Sequence, residues 1–70
     1  METIVFELTE EYIELIKLLK LLNLCESGSQ AKLVVDEGLV KFNDVIEYQR
    51  RKKLRKNDIV HFNNTEIRIL

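Results

Sequence analysis

Arg50-Arg51-Lys52-Lys53-Leu54-Arg55-Lys56 sets six cationic side chains in seven consecutive positions of a 70-residue chain whose formal net charge is only -1. Arginine offers an oxyanion a planar, bidentate fork and lysine a point charge, and each phosphate neutralised on a nucleic acid releases condensed counterions. The chemistry this spacing suits is therefore attachment to a polyanion. Leu54 is the one apolar residue in the run, and it is the candidate anchor that pins the segment to a core while the charges stay in water. The competing explanation is a plain solvated face, since runs of cations are common on surfaces.

Catalytic groupings are sparse. Cys25 and His61 are the only residues of their kinds, and a Cys-His pair without a group to orient it is a weak nucleophilic site. Two such residues cannot close a structural zinc site either. Glu10-Glu11 and Asp36-Glu37 are neighbours on expected helices, so their side chains diverge rather than meet on one substrate atom. No glycine-rich phosphate loop is present. These absences point to a non-catalytic binding module with no cofactor, no metal and no small-molecule substrate; an enzyme built on Cys25 and His61 is the remote alternative.

Seventy residues with 46% hydrophobic and 33% charged side chains, no proline and two glycines describe one small folded domain, residues 1–70, with a thin core. A lone cysteine cannot form an internal disulfide, and a small secreted domain ordinarily relies on several, so a cytoplasmic setting is expected. Lys20 interrupts the apolar stretch around Leu18 to Leu22, which is far too short to span a bilayer, and no signal segment is expected at the start. The charge is unevenly spread. Residues 1–37 carry three Lys against eight Asp or Glu, a net of -5, and residues 38–70 carry eight Lys or Arg against four acids, a net of +4. Local potential steers a polyanion more than the net sum does.

The elements that must hold the basic run follow from periodicity. Ile4, Phe6 and Leu8 alternate as in a half-buried strand. Thr9 is a candidate cap for a first helix running to about Leu22, with Glu10 and Glu11 in its first turn, an apolar stripe of Tyr12, Leu15, Leu18, Leu19 and Leu22, and Asn23 as a left-handed stop. Ser27 and Gln30 have capping-box spacing: the Ser27 hydroxyl accepts from the Gln30 amide and the Gln30 side chain reaches back. The second helix buries Ala31, Val34 and Val35, wets Lys32 and Asp36, and ends at Gly38. From Val40 the period becomes two. Val40 to Phe42 and Val45 to Tyr48 flank an Asn43-Asp44 turn, and Ile59 to Phe62 and Glu66 to Ile69 flank an Asn63-Asn64 turn. The expected fold class is α+β: a helix-turn-helix-like pair packed on a small, mainly antiparallel sheet, with the basic run as a loop between strands.

For the polyanion, duplex DNA is disfavoured, because its readers usually present a basic recognition helix and here the second helix carries only Lys32. Structured RNA, read through shape, phosphates and 2'-hydroxyls, suits a rigid helix pair beside a basic segment. Single-strand binding by stacking is less well served, since most of the five aromatics fall at core positions.

The stretch ESGSQAKLVVDEGLVKFND followed by RRKKLRKNDIV resembles the S4 RNA-binding domain, and is most similar to its small stand-alone bacterial members. The matching residues are Leu24, Ser27, Ala31, Val34-Val35, Gly38, Val40, Asn43 and Asp58-Ile59, in order over about residues 13–62. The resemblance implies an S4-like fold (the αL motif) and binding of structured, often ribosomal, RNA. Carried onto this chain, the RNA face comprises Ser29, Gln30 and Lys32 at the start of the second helix, Lys41 and Asn43 on the hairpin, and Arg50, Arg51, Lys52, Lys53, Arg55 and Lys56. The chain departs from the family pattern where Glu14-Leu15-Ile16 replaces Arg-Leu-Asp, where Gly28 replaces an arginine, and where Asp44 and Asn57 replace glycines. A second reading keeps the same basic segment but docks it on an acidic protein, such as a ribosome-associated factor; a protein partner for the acidic half is also left open.

Overall fold

The computed structural model describes the chain from Met1 to Leu70. The elements run β1 (Glu2–Phe6), β2 (Ile13–Glu14), α1 (Leu15–Leu21), α2 (Gly28–Asp36), β3 (Val40–Phe42), β4 (Val45–Ile46), β5 (Lys53–Leu54), β6 (Ile59–Phe62) and β7 (Thr65–Ile69). Five strands form a sheet in the order β1-β7-β6-β3-β4, and β2 pairs with β5 as a separate two-stranded ribbon. Every pairing is antiparallel except β1 with β7. The two helices and one face of the sheet share a single apolar cluster that includes Leu15, Leu18, Leu19, Ala31, Val35, Val40, Leu54, Val60 and Ile67. The α+β class, with a helix pair on a mainly antiparallel sheet, is thus the observed architecture. No helix is long and apolar enough to cross a membrane.

Turn chemistry is carried almost wholly by asparagine. Asn43-Asp44 and Asn63-Asn64 all hold positive φ, as the two central residues of a tight hairpin must, and Asn23 and Asn57 do the same singly. Gly38 ends α2 at φ +75, and a Cβ there would come within 3.1 Å of the Tyr48 hydroxyl, so both backbone and space select glycine.

The helix boundaries differ from the sequence expectation at one end. Thr9 caps nothing: α1 starts at Leu15, Glu14 stands at its cap position with extended backbone, and no side chain caps it. Ile13 and Glu14 are instead drawn into β2, opposite Leu54 and Lys53. Glu10, Glu11 and Tyr12 therefore lie outside the helix, and Tyr12 is exposed rather than part of the buried stripe. The return strand of the first hairpin is also shorter than expected, ending at Ile46, because β4 is a sheet edge whose Val45 and Ile46 face solvent. Helix α2 matches its forecast: Ser27 Oγ accepts from the Gln30 amide at 3.1 Å, and Ala31, Val34 and Val35 are its buried residues. The Gln30 side chain reaches one residue further back than the cap, with Oε1 accepting from the Glu26 amide at 2.6 Å.

Leu54 is fully buried in the middle of the basic run. Removing its side chain leaves a void that closely packed neighbours fill only in part. Leu54→Ala is expected to lower unfolding free energy by about 2–5 kcal/mol, measured as a lower urea midpoint at unchanged m; an unchanged midpoint would mean that Leu54 does not anchor the segment.

Candidate nucleic-acid interface

The basic run is a fastened segment rather than a free loop. Its first half lies across the start of α1, where the Leu15 amide donates to the Lys52 carbonyl at 2.9 Å and the Ile16 amide to the Arg50 carbonyl at 3.1 Å. These are two of the amides that a helix start leaves without an intrahelical partner. The next two residues, Lys53 and Leu54, form β5. The segment's far end is held as firmly: the Asn57 amide donates to the Ile69 carbonyl at 2.7 Å, the Ile69 amide to the Asp58 carbonyl at 3.0 Å, and Asp58 Oδ2 accepts from the Arg55 amide at 2.7 Å. Asn43 closes the structure from the hairpin, its Oδ1 accepting from the Ile59 amide at 2.8 Å and its Nδ2 donating to Asp58 Oδ1 at 3.3 Å.

The side chains divide into engaged and free. Arg50 makes a two-point contact with Asp36 at the end of α2, Nε donating to Oδ1 at 2.9 Å and Nη2 to Oδ2. Arg55 reaches Glu11 at 3.3 Å. Lys52 Nζ lies 4.9 Å from the Phe42 ring centroid, and Lys53 Nζ and the Arg55 guanidinium carbon lie 4.8 and 5.7 Å from that of Tyr12. Arg51 and Lys56 alone have neither an ion pair, a side-chain hydrogen bond nor a ring contact. The charge imbalance between the two halves of the sequence is thus partly neutralised in the fold, because acids of the first half meet arginines of the second.

The other expected contact residues are placed around this segment, not all on it. Ser29, Gln30 and Lys32 are exposed near the start of α2, roughly 6 to 10 Å along the helix axis from Asp36 and its Arg50 partner. Gln30 and Asn43 both spend side-chain hydrogen bonds on the protein itself. Lys41 stands on the opposite, helix-free face of the sheet, level with His61, which is in turn level with Glu66. It lines a groove of about 300 Å³ together with Asp44, His61 and Asn63. There His61 Nε2 is 3.2 Å from Glu66, Nδ1 is buried with no hydrogen-bond partner, and Asp44 is 3.9 Å from Nδ1. Sequence reasoning missed Tyr12, Glu11 and Asp36 as neighbours of the basic run. The available signal was the pattern Tyr12-Ile13-Glu14, which fits a strand as well as a helix start, but only long-range pairing with Leu54 decides between them.

Cys25 is buried, and burial pushes its thiol above the ordinary range, the reverse of what activates a nucleophile. No group of three or more His, Cys, Asp and Glu is arranged to hold a metal ion.

The Arg50 fork holds the Asp36 carboxyl below its usual range chiefly through hydrogen bonding, which outweighs the opposing effect of desolvation and is helped by the attraction of the guanidinium charge. A depressed carboxyl adds stability above the unfolded-state value that is lost as pH falls through the folded-state value. Carbon-detected NMR titration is expected to show Asp36 titrating below a free aspartate in the wild type and moving upward in Arg50→Ala. An Asp36 midpoint indifferent to Arg50 would contradict the pairing.

Comparison with known proteins agrees with this architecture. The S4 domain family model matches residues 6–70. YbcJ of Escherichia coli (strain K12) and YbcJ of Shigella flexneri are each 36% identical over 59 residues, covering 84% of this chain and 84% of theirs. The solution structure of E. coli YbcJ, described as revealing an αL motif involved in RNA binding, superposes with a TM-score of 0.69 at 33% identity, over 100% of this chain and 87% of that one. With nearly the whole chain matched by the family model, and with the helix pair, the Asn43 turn and the fastened basic segment all in one arrangement, this chain belongs to the S4 domain family.

Proposed function

We propose that this chain, as one S4-like unit over residues 1–70, binds structured RNA without catalysing a reaction on it, and that its target is ribosomal RNA in the bacterial cytoplasm. Family membership and the RNA-binding motif described for YbcJ support the RNA assignment. The observation that carries it is the fastening of residues 50–58 at both ends, which turns a run of charges into a positioned cationic ridge. A ridge held this way loses little backbone entropy on binding, so more of each phosphate contact appears as affinity.

Arg51 and Lys56 are the cations ready for phosphate at once. Arg50 keeps most of its reach, since its guanidinium has five N–H donors and Asp36 takes only those on Nε and Nη2. The carboxylate also holds the fork in one orientation. Ser29, Gln30 and Lys32 extend the surface along α2, and a duplex or hairpin backbone is broad enough to touch both regions, whereas a single extended strand would need stacking rings that the chain largely lacks. The absence of catalysis in this reading is supported by the buried, upward-shifted Cys25 thiol.

Fluorescence anisotropy with a ribosomal RNA hairpin, and with duplex DNA of equal length, at several salt concentrations tests this reading. The RNA is expected to bind more tightly than the DNA, and Arg51→Ala with Lys56→Ala is expected to reduce the salt slope by roughly 0.7–0.9 per contacting charge removed. Equal binding of the two nucleic acids, or a slope untouched by the substitutions, would contradict it; no RNA binding even at low salt would instead favour docking on an acidic protein.

A further inference from the structure

Ile13 in β2 and Leu54 in β5 are paired and both turn inward, Ile13 8% and Leu54 0% exposed. Side chains alternate along a strand, so the residues flanking them, Tyr12 and Glu14 on one strand and Lys53 and Arg55 on the other, turn outward together. Continuing the antiparallel register brings Tyr12 level with Arg55 and diagonal to Lys53. The geometry bears this out: the two cations lie 4.8 and 5.7 Å from the Tyr12 ring centroid, and the residue is 37% exposed. The ring is thus held on the surface of the cationic ridge itself. The other aromatics are differently employed. Phe6, Phe42 and Phe62 pack against the core, and Tyr48, though more exposed than Tyr12, lies over Gly38 with no cation against its ring.

We propose that Tyr12 is a stacking platform for one unpaired nucleobase of the bound RNA, an inference that rests on the RNA-binding reading above. A ring flanked by two cations at about the separation between a nucleobase and its own phosphate offers both halves of a nucleotide what each needs: a π face for the base and Lys53 and Arg55 for the adjoining phosphates. In the free protein the cations lie against the ring and hold it in place by cation–π attraction. On binding, phosphate takes the cations and the base takes the ring. A fully paired helix has no base to give, so the preferred target is helical RNA interrupted by a single-nucleotide bulge or a small loop, the elements at which bases are usually splayed onto protein aromatics.

The experiment compares two RNA hairpins of the same stem, one fully paired and one with a single bulged nucleotide, against wild type, Tyr12→Phe and Tyr12→Leu, each variant checked by thermal unfolding. The wild type is expected to prefer the bulged hairpin. Tyr12→Leu, which keeps apolar bulk without a π face, should lose on the order of tenfold in affinity for the bulged RNA and little for the paired one, and Tyr12→Phe should retain both. Equal loss on the two hairpins would mean that the ring acts only by orienting Lys53 and Arg55, and no loss on the bulged RNA would mean that it does not contact the base; either result overturns the proposal. A wild type that binds both hairpins equally rejects stacking alone, whereas one that binds neither rejects the RNA-binding reading with it.

Discussion

Helix α1 has seven residues and no capping side chain, and a helix that short does not persist on its own propensity. Its beginning exists because the carbonyls of Lys52 and Arg50 accept the Leu15 and Ile16 amides, and because Ile13 and Glu14 pair with Leu54 and Lys53 immediately before it. The dependence is mutual. A segment with six cations has no reason to lie against a protein surface unless backbone hydrogen bonds and the buried Leu54 hold it there. The helix start and the cationic ridge are therefore one structural unit, and most of the remaining architecture can be understood as keeping that unit in place.

One consequence is electrostatic. The N-terminal end of a helix carries partial positive charge, and setting a cationic segment against it is unfavourable in itself. The acids of the first half of the chain offset that cost. Glu14 faces Lys53 across the ribbon, Glu11 meets Arg55, and Asp36 holds Arg50. The two ion pairs are solvent-accessible, so each stabilises the fold only modestly, but with Glu14 nearby they lower the repulsion among the cations and leave Arg51 and Lys56 outward.

Much of this was legible in the sequence, and the parts that were not share a cause. Local signals were reliable: the Ser27-Gln30 capping box, Gly38 at positive φ and the two asparagine-based hairpins occur where their residue types require them. Leu54 as an apolar anchor was legible too, since one leucine among six cations has no other evident use. What failed was the start of α1. Thr9 followed by Glu10 and Glu11 is a good helix entrance by local chemistry, yet Ile13 and Glu14 are claimed by β5, some forty residues away in the chain, and the helix begins only after that pairing ends. Long-range pairing overrode local propensity, and in doing so moved Tyr12 from an expected core stripe to the surface of the ridge. The parallel pairing of β1 with β7 was invisible for the same reason, because no turn between neighbouring strands announces it.

If RNA is met by the segment fastened across the start of α1, the backbone amides of that segment must report it. Amide chemical-shift mapping of the labelled protein against a structured RNA hairpin tests it most directly. The largest changes are expected on residues 50–56, and the Leu15 and Ile16 amides, which donate to that segment, are expected to shift with them. Changes confined to the helix-free face of the sheet, around Lys41, His61 and Glu66, with residues 50–56 unmoved, would contradict it.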